Sequence, residues 1–180
     1  MRRPFIQITR HLYEEPYHLN LVILASNGIA SGGLEFYSNT SDIEKLGSDL
    51  SNFQAHEREN HIFELGSEIP KDNFGFYFRM RAYGKGKLTL ADNSKTRGYI
   101  QLRLNNNEPA NVSFSDAPLL TDFHIETDFE GINKLGNLLN DFAKLKHQRL
   151  LWSPSKSLLD NALEQRGSDN LAAALASLPR

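Results

Sequence analysis

A chain of 180 residues is long enough to bury one core without staples, and with 20 Lys and Arg against 22 Asp and Glu its formal charge of −2 leaves no basic excess for holding a nucleic acid. It contains no cysteine, which rules out disulfides, thiolate zinc sites and a cysteine nucleophile. Its longest aliphatic block, Leu21 to Ala25, is far too short to span a membrane, and the first residues carry no apolar run of signal-peptide length, so a soluble cytoplasmic protein is expected.

Residues 1–17 hold Pro4 and Pro16 as breakers and read as a loose arm or one short edge strand. His18 to Ser26, rich in β-favouring residues, reads as a buried strand. Asn27-Gly28 and Ser31-Gly32-Gly33 punctuate a turn, and Leu34 to Ser38 returns as its hairpin partner. A helix follows over 41–54, with Ser41 and Glu44 spaced as a capping box. Residues 55–60 form a charged loop, and His61 to Leu65 a short strand.

Phe74 to Tyr83 is the clearest strand: Phe74, Phe76, Phe78, Met80 and Ala82 alternate with Gly75, Tyr77, Arg79, Arg81 and Tyr83. Gly84-Lys85-Gly86 predicts a tight turn into a strand over 87–91. Arg97 to Leu104 alternates again, with Ile100, Leu102 and Leu104 opposite Tyr99, Gln101 and Arg103. A short strand is expected over 111–115 and another over 119–127. A second helix is expected from Asp128 to Lys146, with Thr127 and Glu130 as its capping box and Lys144 and Lys146 in its last turn.

Two of these segments are alike. Phe36 to Gln54 and Ile125 to Ala143 align without gaps and share Ile43/Ile132, Lys45/Lys134, Leu46/Leu135, Gly47/Gly136, Leu50/Leu139 and Phe53/Phe142. The shared apolar positions fall on one helical face. A mid-helix glycine costs roughly 1 kcal/mol relative to alanine, so the paired glycines ask for a reason. Close packing of each helix backbone against a sheet supplies one.

The fold class predicted is α+β. A mostly antiparallel meander of about seven to nine strands carries two inserted helices from a duplicated strand–helix unit. Residues 1–152 form a single domain, with the copies at 34–54 and 123–143. Residues 153–180 form a helical tail, beginning with a short helix that contains Leu158, Leu159, Ala162 and Leu163.

Chemistry is sparsely marked. The histidines His11, His18, His56, His61, His124 and His147 show no metal-ligand spacing, and neither a metal site nor a cofactor is expected. Glu126, Asp128 and Glu130 could hold a cation, but charge at a helix N-terminus accounts for the last two. Gly84-Lys85-Gly86-Lys87 lacks the phosphate-loop spacing. No catalytic residue is singled out.

The more informative feature is a surface. If the strands over 74–83 and 97–104 are neighbours, Tyr77, Arg79, Arg81, Tyr83, Tyr99, Gln101 and Arg103 share one face. Tyrosine and arginine are the residues enriched at binding hot spots, and the face would suit an acidic protein patch, a carboxylate or a phosphate. Cross-strand stacking and ion pairing, or burial of the tyrosines under the helices, are the structural alternatives.

The segments HLNLVILAS, GGLEFYS, the LG-containing helix, FELGS, FGFYFRMRAYG and FHIETDFEGINKLGNLLNDF, within residues 18–152, resemble a group of small bacterial α+β proteins. These lie near the WapI-type immunity proteins of polymorphic toxin systems. The resemblance implies a protein partner, a toxin domain neutralised by occlusion, and no catalytic residue. Two other readings stand beside it. One is an enzyme or small-ligand binder with a pocket between sheet and helices, lined by His124, Glu126 and Arg103. The other is an assembly module that forms a homodimer through the tail or an exposed sheet edge. Neither a nucleic acid nor a membrane is an expected partner.

Overall fold

The computed structural model describes residues 3–15, 17–53, 60–69, 75–85, 97–107, 120–154 and 156–160. Its strands are β1 (Phe5–His11), β2 (Leu19–Ser26), β3 (Ser31–Ser38), β4 (Asn60–Gly66), β5 (Phe76–Lys85), β6 (Arg97–Asn106), β7 (Leu120–Asp128), β8 (Arg149–Ser153) and β9 (Lys156–Asp160). Helix α1 (Thr40–Ser51) follows β3, and α2 (Phe129–Phe142) follows β7. The class is α+β, with antiparallel strands throughout, but the expected meander is divided into two sheets, in the orders β3-β2-β1-β8-β9 and β4-β5-β6-β7.

Each helix carries the chain from one sheet to the other. The chain leaves β3 through α1 and enters the second sheet as β4; it leaves β7 through α2 and returns to the first sheet as β8. The inner faces of both sheets and the apolar sides of both helices share one core. Phe36 of β3 stacks on Phe78 of β5 with ring centroids 4.9 Å apart, which ties sheet to sheet. Trp152 is fully buried, and its indole N–H donates to the Gly131 carbonyl at 2.9 Å, so the ring adds apolar area without stranding a donor.

The residues paired in the two similar segments occupy matching places. Ile43, Leu46, Gly47 and Leu50 are buried on α1, and Ile132, Leu135, Gly136 and Leu139 on α2. The paired glycines meet each other's helix rather than a sheet. A Cβ on Gly136 would lie 2.6 Å from the Leu50 carbonyl carbon and 2.7 Å from the Gly47 oxygen. One on Gly47 would lie 2.8 Å from the Asn140 backbone nitrogen. The reason for the glycines is therefore a helix–helix crossing at backbone distance.

Several local expectations change. Residues 5–11 are not an edge: β1 pairs with β2 on one side and β8 on the other, at the centre of its sheet. Alternation of buried Ile6, Ile8 and Arg10 with half-buried neighbours is the pattern that the prolines overshadow. The caps are shifted from the predicted boxes: that of α1 lies two residues before Ser41, and that of α2 one residue after Thr127. Asn39 accepts from the Asp42 N–H at 2.8 Å, and Asp128 from the Gly131 N–H at 2.7 Å, while neither helix has a basic residue in its last turn. An Asn or Asp ahead of the helix satisfies a free N–H as well as a hydroxyl does. Gly84 and Lys85, expected in a turn, are strand residues instead: β5 runs on through both, and they pair with Gly98 and Arg97. Lys156–Asp160 is a strand against β8, where a helix containing Leu158 and Leu159 is predicted. The remainder of the helical tail, and the strands expected over 87–91 and 111–115, lie outside the described residues.

Candidate binding face on the four-stranded sheet

Antiparallel register gathers the predicted tyrosines and arginines. Across β5 and β6, Tyr83 faces Tyr99, Arg81 faces Gln101 and Arg79 faces Arg103. Tyr77 faces Asn105 on the same sheet surface. On the far side of β6, Tyr99 faces Glu126, Gln101 faces His124 and Arg103 faces Asp122. On the far side of β5, Arg79 faces Glu64 and Arg81 faces Ile62. The alternate residues Phe78, Met80, Ala82, Ile100, Leu102 and Leu104 point into the core shared with the helices. The Tyr/Arg face therefore turns away from α1 and α2, because successive side chains on a strand leave opposite surfaces.

One end of the face is aromatic. Tyr83 and Tyr99 stack with centroids 5.3 Å apart, and the Arg81 guanidinium lies 5.0 Å from the centre of the Tyr83 ring. The Tyr83 hydroxyl and His124 Nδ1 are hydrogen-bonded at 2.8 Å. Burial pushes the Tyr83 hydroxyl up from its usual pKa, against the opposing pull of Arg81. Arg81 Nε also donates to Asn60 Oδ1 at 2.5 Å, and Arg97 lies 3.4 Å from Glu126.

The other end is ionic. Arg103 donates to Glu68 and, at 3.0 Å, to Asp122, and these two carboxylates raise its pKa further. Burial pushes the Asp122 carboxyl up, but the Gln101 amide and the Arg103 guanidinium that donate to it hold it below the usual carboxylate range. Like Gln101, Tyr77 is buried, at 8 % exposure. Burial, followed by the hydrogen bond to Glu64 at 2.5 Å, pushes its hydroxyl up to about 12, so it is a neutral donor that packs the face.

Arg79 stands apart. It lies directly opposite Arg103, and like charges so placed repel. Glu68 and Asp122 neutralise Arg103, Glu64 is held by Tyr77, and Arg79 makes no hydrogen bond or ion pair among the described residues. Its Nε is buried without a partner. A buried guanidinium N–H left unpaired costs more than an exposed one, so the position favours an incoming acceptor.

Asp122, His124, Glu64, Glu68 and Asn60 join the face although sequence reasoning did not place them there. Alternation along β7 makes the first two legible once its neighbour is known, but the neighbour is set by the register. His124, Glu126 and Arg103, named above as possible lining of a sheet–helix pocket, instead belong to this outer face. Asp128 and Glu130 serve the start of α2. Among the described residues, no group of three His, Asp or Glu side chains could hold a metal ion, and no helix is long and apolar enough to cross a membrane. No protein-family model, no curated protein and no solved structure matches this chain.

Proposed function

We propose that this chain is a cytoplasmic binding protein whose outer sheet face seats an acidic segment of a protein partner, with Arg79 as the anchor. The observation that carries the reading is the guanidinium of Arg79, central on the face and without an acceptor among the described residues, beside arginines that already have theirs. A carboxylate from a partner would complete it with a charge-assisted, forked hydrogen bond. Around it Tyr83, Tyr99, Arg81 and Arg103 offer rigid rings and pre-oriented donors, so little side-chain entropy is lost on contact. The resemblance to immunity proteins gives the role a form: the partner is a toxin domain, and binding occludes its working surface.

The test is a pull-down from the lysate of the source cell with tagged protein, followed by titration of the captured partner. A single stoichiometric partner is expected, held by wild type and by Lys45→Glu on α1, and released by Arg79→Glu. Truncating an anchor of this kind costs about 2 kcal/mol or more, roughly a 30-fold loss of affinity. Unchanged affinity in both Arg79→Glu and Arg81→Glu would remove this face from the proposal.

A further inference from the structure

At the opposite side of the molecule, the end of the five-stranded sheet presents apolar and aromatic side chains to solvent. Leu12 is 64 % exposed, Tyr13 56 %, Tyr17 78 % and Tyr37 48 %, values far above those of any core residue. Tyr13 and Tyr37 form a tilted ring pair with centroids 5.6 Å apart. Scattered exposed aromatics need no explanation, but a group held together at one corner does.

The polar atoms beside this corner are acceptors. On the outer surface of the sheet, Asn20 stands between His11 and Tyr37, and Glu35 follows two residues before Tyr37 on β3. Glu35 accepts from the Asn20 amide nitrogen at 2.8 Å, which fixes the amide orientation, and Asn20 Oδ1 is left buried without a donor among the described residues. Among the described residues, no Lys or Arg forms an ion pair with Glu35, and Glu14 meets only His18, at 3.0 Å. Arg10, the nearby cation, is committed to Glu15 and to the carbonyls of Leu145 and His147. Desolvation lowers the pKa of His11, outweighing the pull of Glu35, so at neutral pH its ring adds no positive charge.

Ring faces and a carboxylate that has no Lys or Arg partner among the described residues favour a cation. We infer that this tyrosine corner is a second recognition surface, and that it takes a lysine or arginine side chain of a protein partner. The cation lies against the Tyr13 and Tyr37 rings, with Glu35 as its counter-ion. The surface is distinct from the arginine face and does not depend on that face having a partner. Its charge preference is the reverse.

The probe is a short blocked peptide carrying one arginine, with the same peptide carrying citrulline as its neutral isostere. Each is titrated into the full-length isotope-labelled protein while the backbone amides are followed by NMR. The arginine peptide should produce saturable shifts confined to residues 11–20 and 35–37, and the citrulline peptide should not. Glu35→Gln and Tyr37→Ala should each weaken binding roughly three- to ten-fold. Equal shifts from both peptides, or undiminished binding in Glu35→Gln, would overturn the inference. So would shifts from tetramethylammonium in the absence of any from the arginine peptide, since the corner would then serve a free small cation.

Discussion

At the crossing of α1 and α2, two backbones meet at paired glycines, Gly136 against main-chain atoms and Gly47 against both the backbone and the side chain of Asn140. On the outer face of the four-stranded sheet, long side chains lie half-exposed over the backbone and reach each other through hydrogen bonds and ring faces. The crossing is intolerant, above all at Gly136, because the neighbours there are main-chain atoms, which cannot turn aside. The sheet face is tolerant because its neighbours are ends of flexible chains and water competes for their charges. Stability is therefore concentrated in the first region, and the second is free to be specified for a partner.

The strongest way to break that contrast is Gly136→Ala. The added methyl would press on the backbone of residues 47, 50 and 51, and a loss of about 3 kcal/mol is expected in denaturant unfolding. Gly47→Ala should cost less, about 1 to 2 kcal/mol, because part of its obstruction is the Asn140 side chain, which can rotate. An unchanged midpoint in both variants would sink the close-crossing account. Next in size is Arg10→Met. Arg10 is 6 % exposed, and its guanidinium donates to the Leu145 and His147 carbonyls, holding the turn in which Leu145 adopts φ 59°. Removing it leaves those carbonyls short of a donor, and a loss of about 2 kcal/mol is expected by the same measurement.

Arg79→Met tests the tolerant side. It removes a buried nitrogen that has no acceptor among the described residues and keeps most of the apolar stem, so unfolding should shift by no more than about 1 kcal/mol, and toward greater stability. A loss comparable to that of Gly136→Ala would show that the arginine holds the sheet together. The smallest effect is one of pH. The folded state keeps the His11 pKa below its ordinary value, so on acidification the unfolded chain takes up a proton that the folded chain refuses. Stability should fall as pH drops through the ordinary histidine range near 6.5, and His11→Gln should flatten that part of the profile. A profile unchanged by the substitution would place the dependence elsewhere.

Much of the fold is legible in the residues. Alternation over 76–83 and 97–104 marks both strands and correctly divides core from surface, because a pleated strand has only two sides. The period of Ile132, Leu135 and Leu139 does the same for α2. Less legible is β1, where two isoleucines and a buried arginine carry a central strand between two proline signals. The candidate face was readable as a list of residues but not as a circuit. That Arg103 has its carboxylates while Arg79 has none among the described residues depends on Asp122 and Glu68, which other segments of the chain bring beside β6. The tyrosine corner is not legible in the sequence because Tyr13, in the connection after β1, and Tyr37, on β3, come together only through the β1–β2–β3 pairing.

By itself the sequence determined what short-range physics can determine: the helix and strand periods, the punctuation between them, and the two glycines set at the same point of two similar helices. These follow from the geometry of a few neighbouring residues and the side that each presents to water. Only the tertiary structure decided that the strands divide into two sheets, that the glycines face each other across a helix crossing, and that one arginine of the face is left without an acceptor among the described residues. Those outcomes depend on which distant segments become neighbours, and one residue of register would change every pair across a strand.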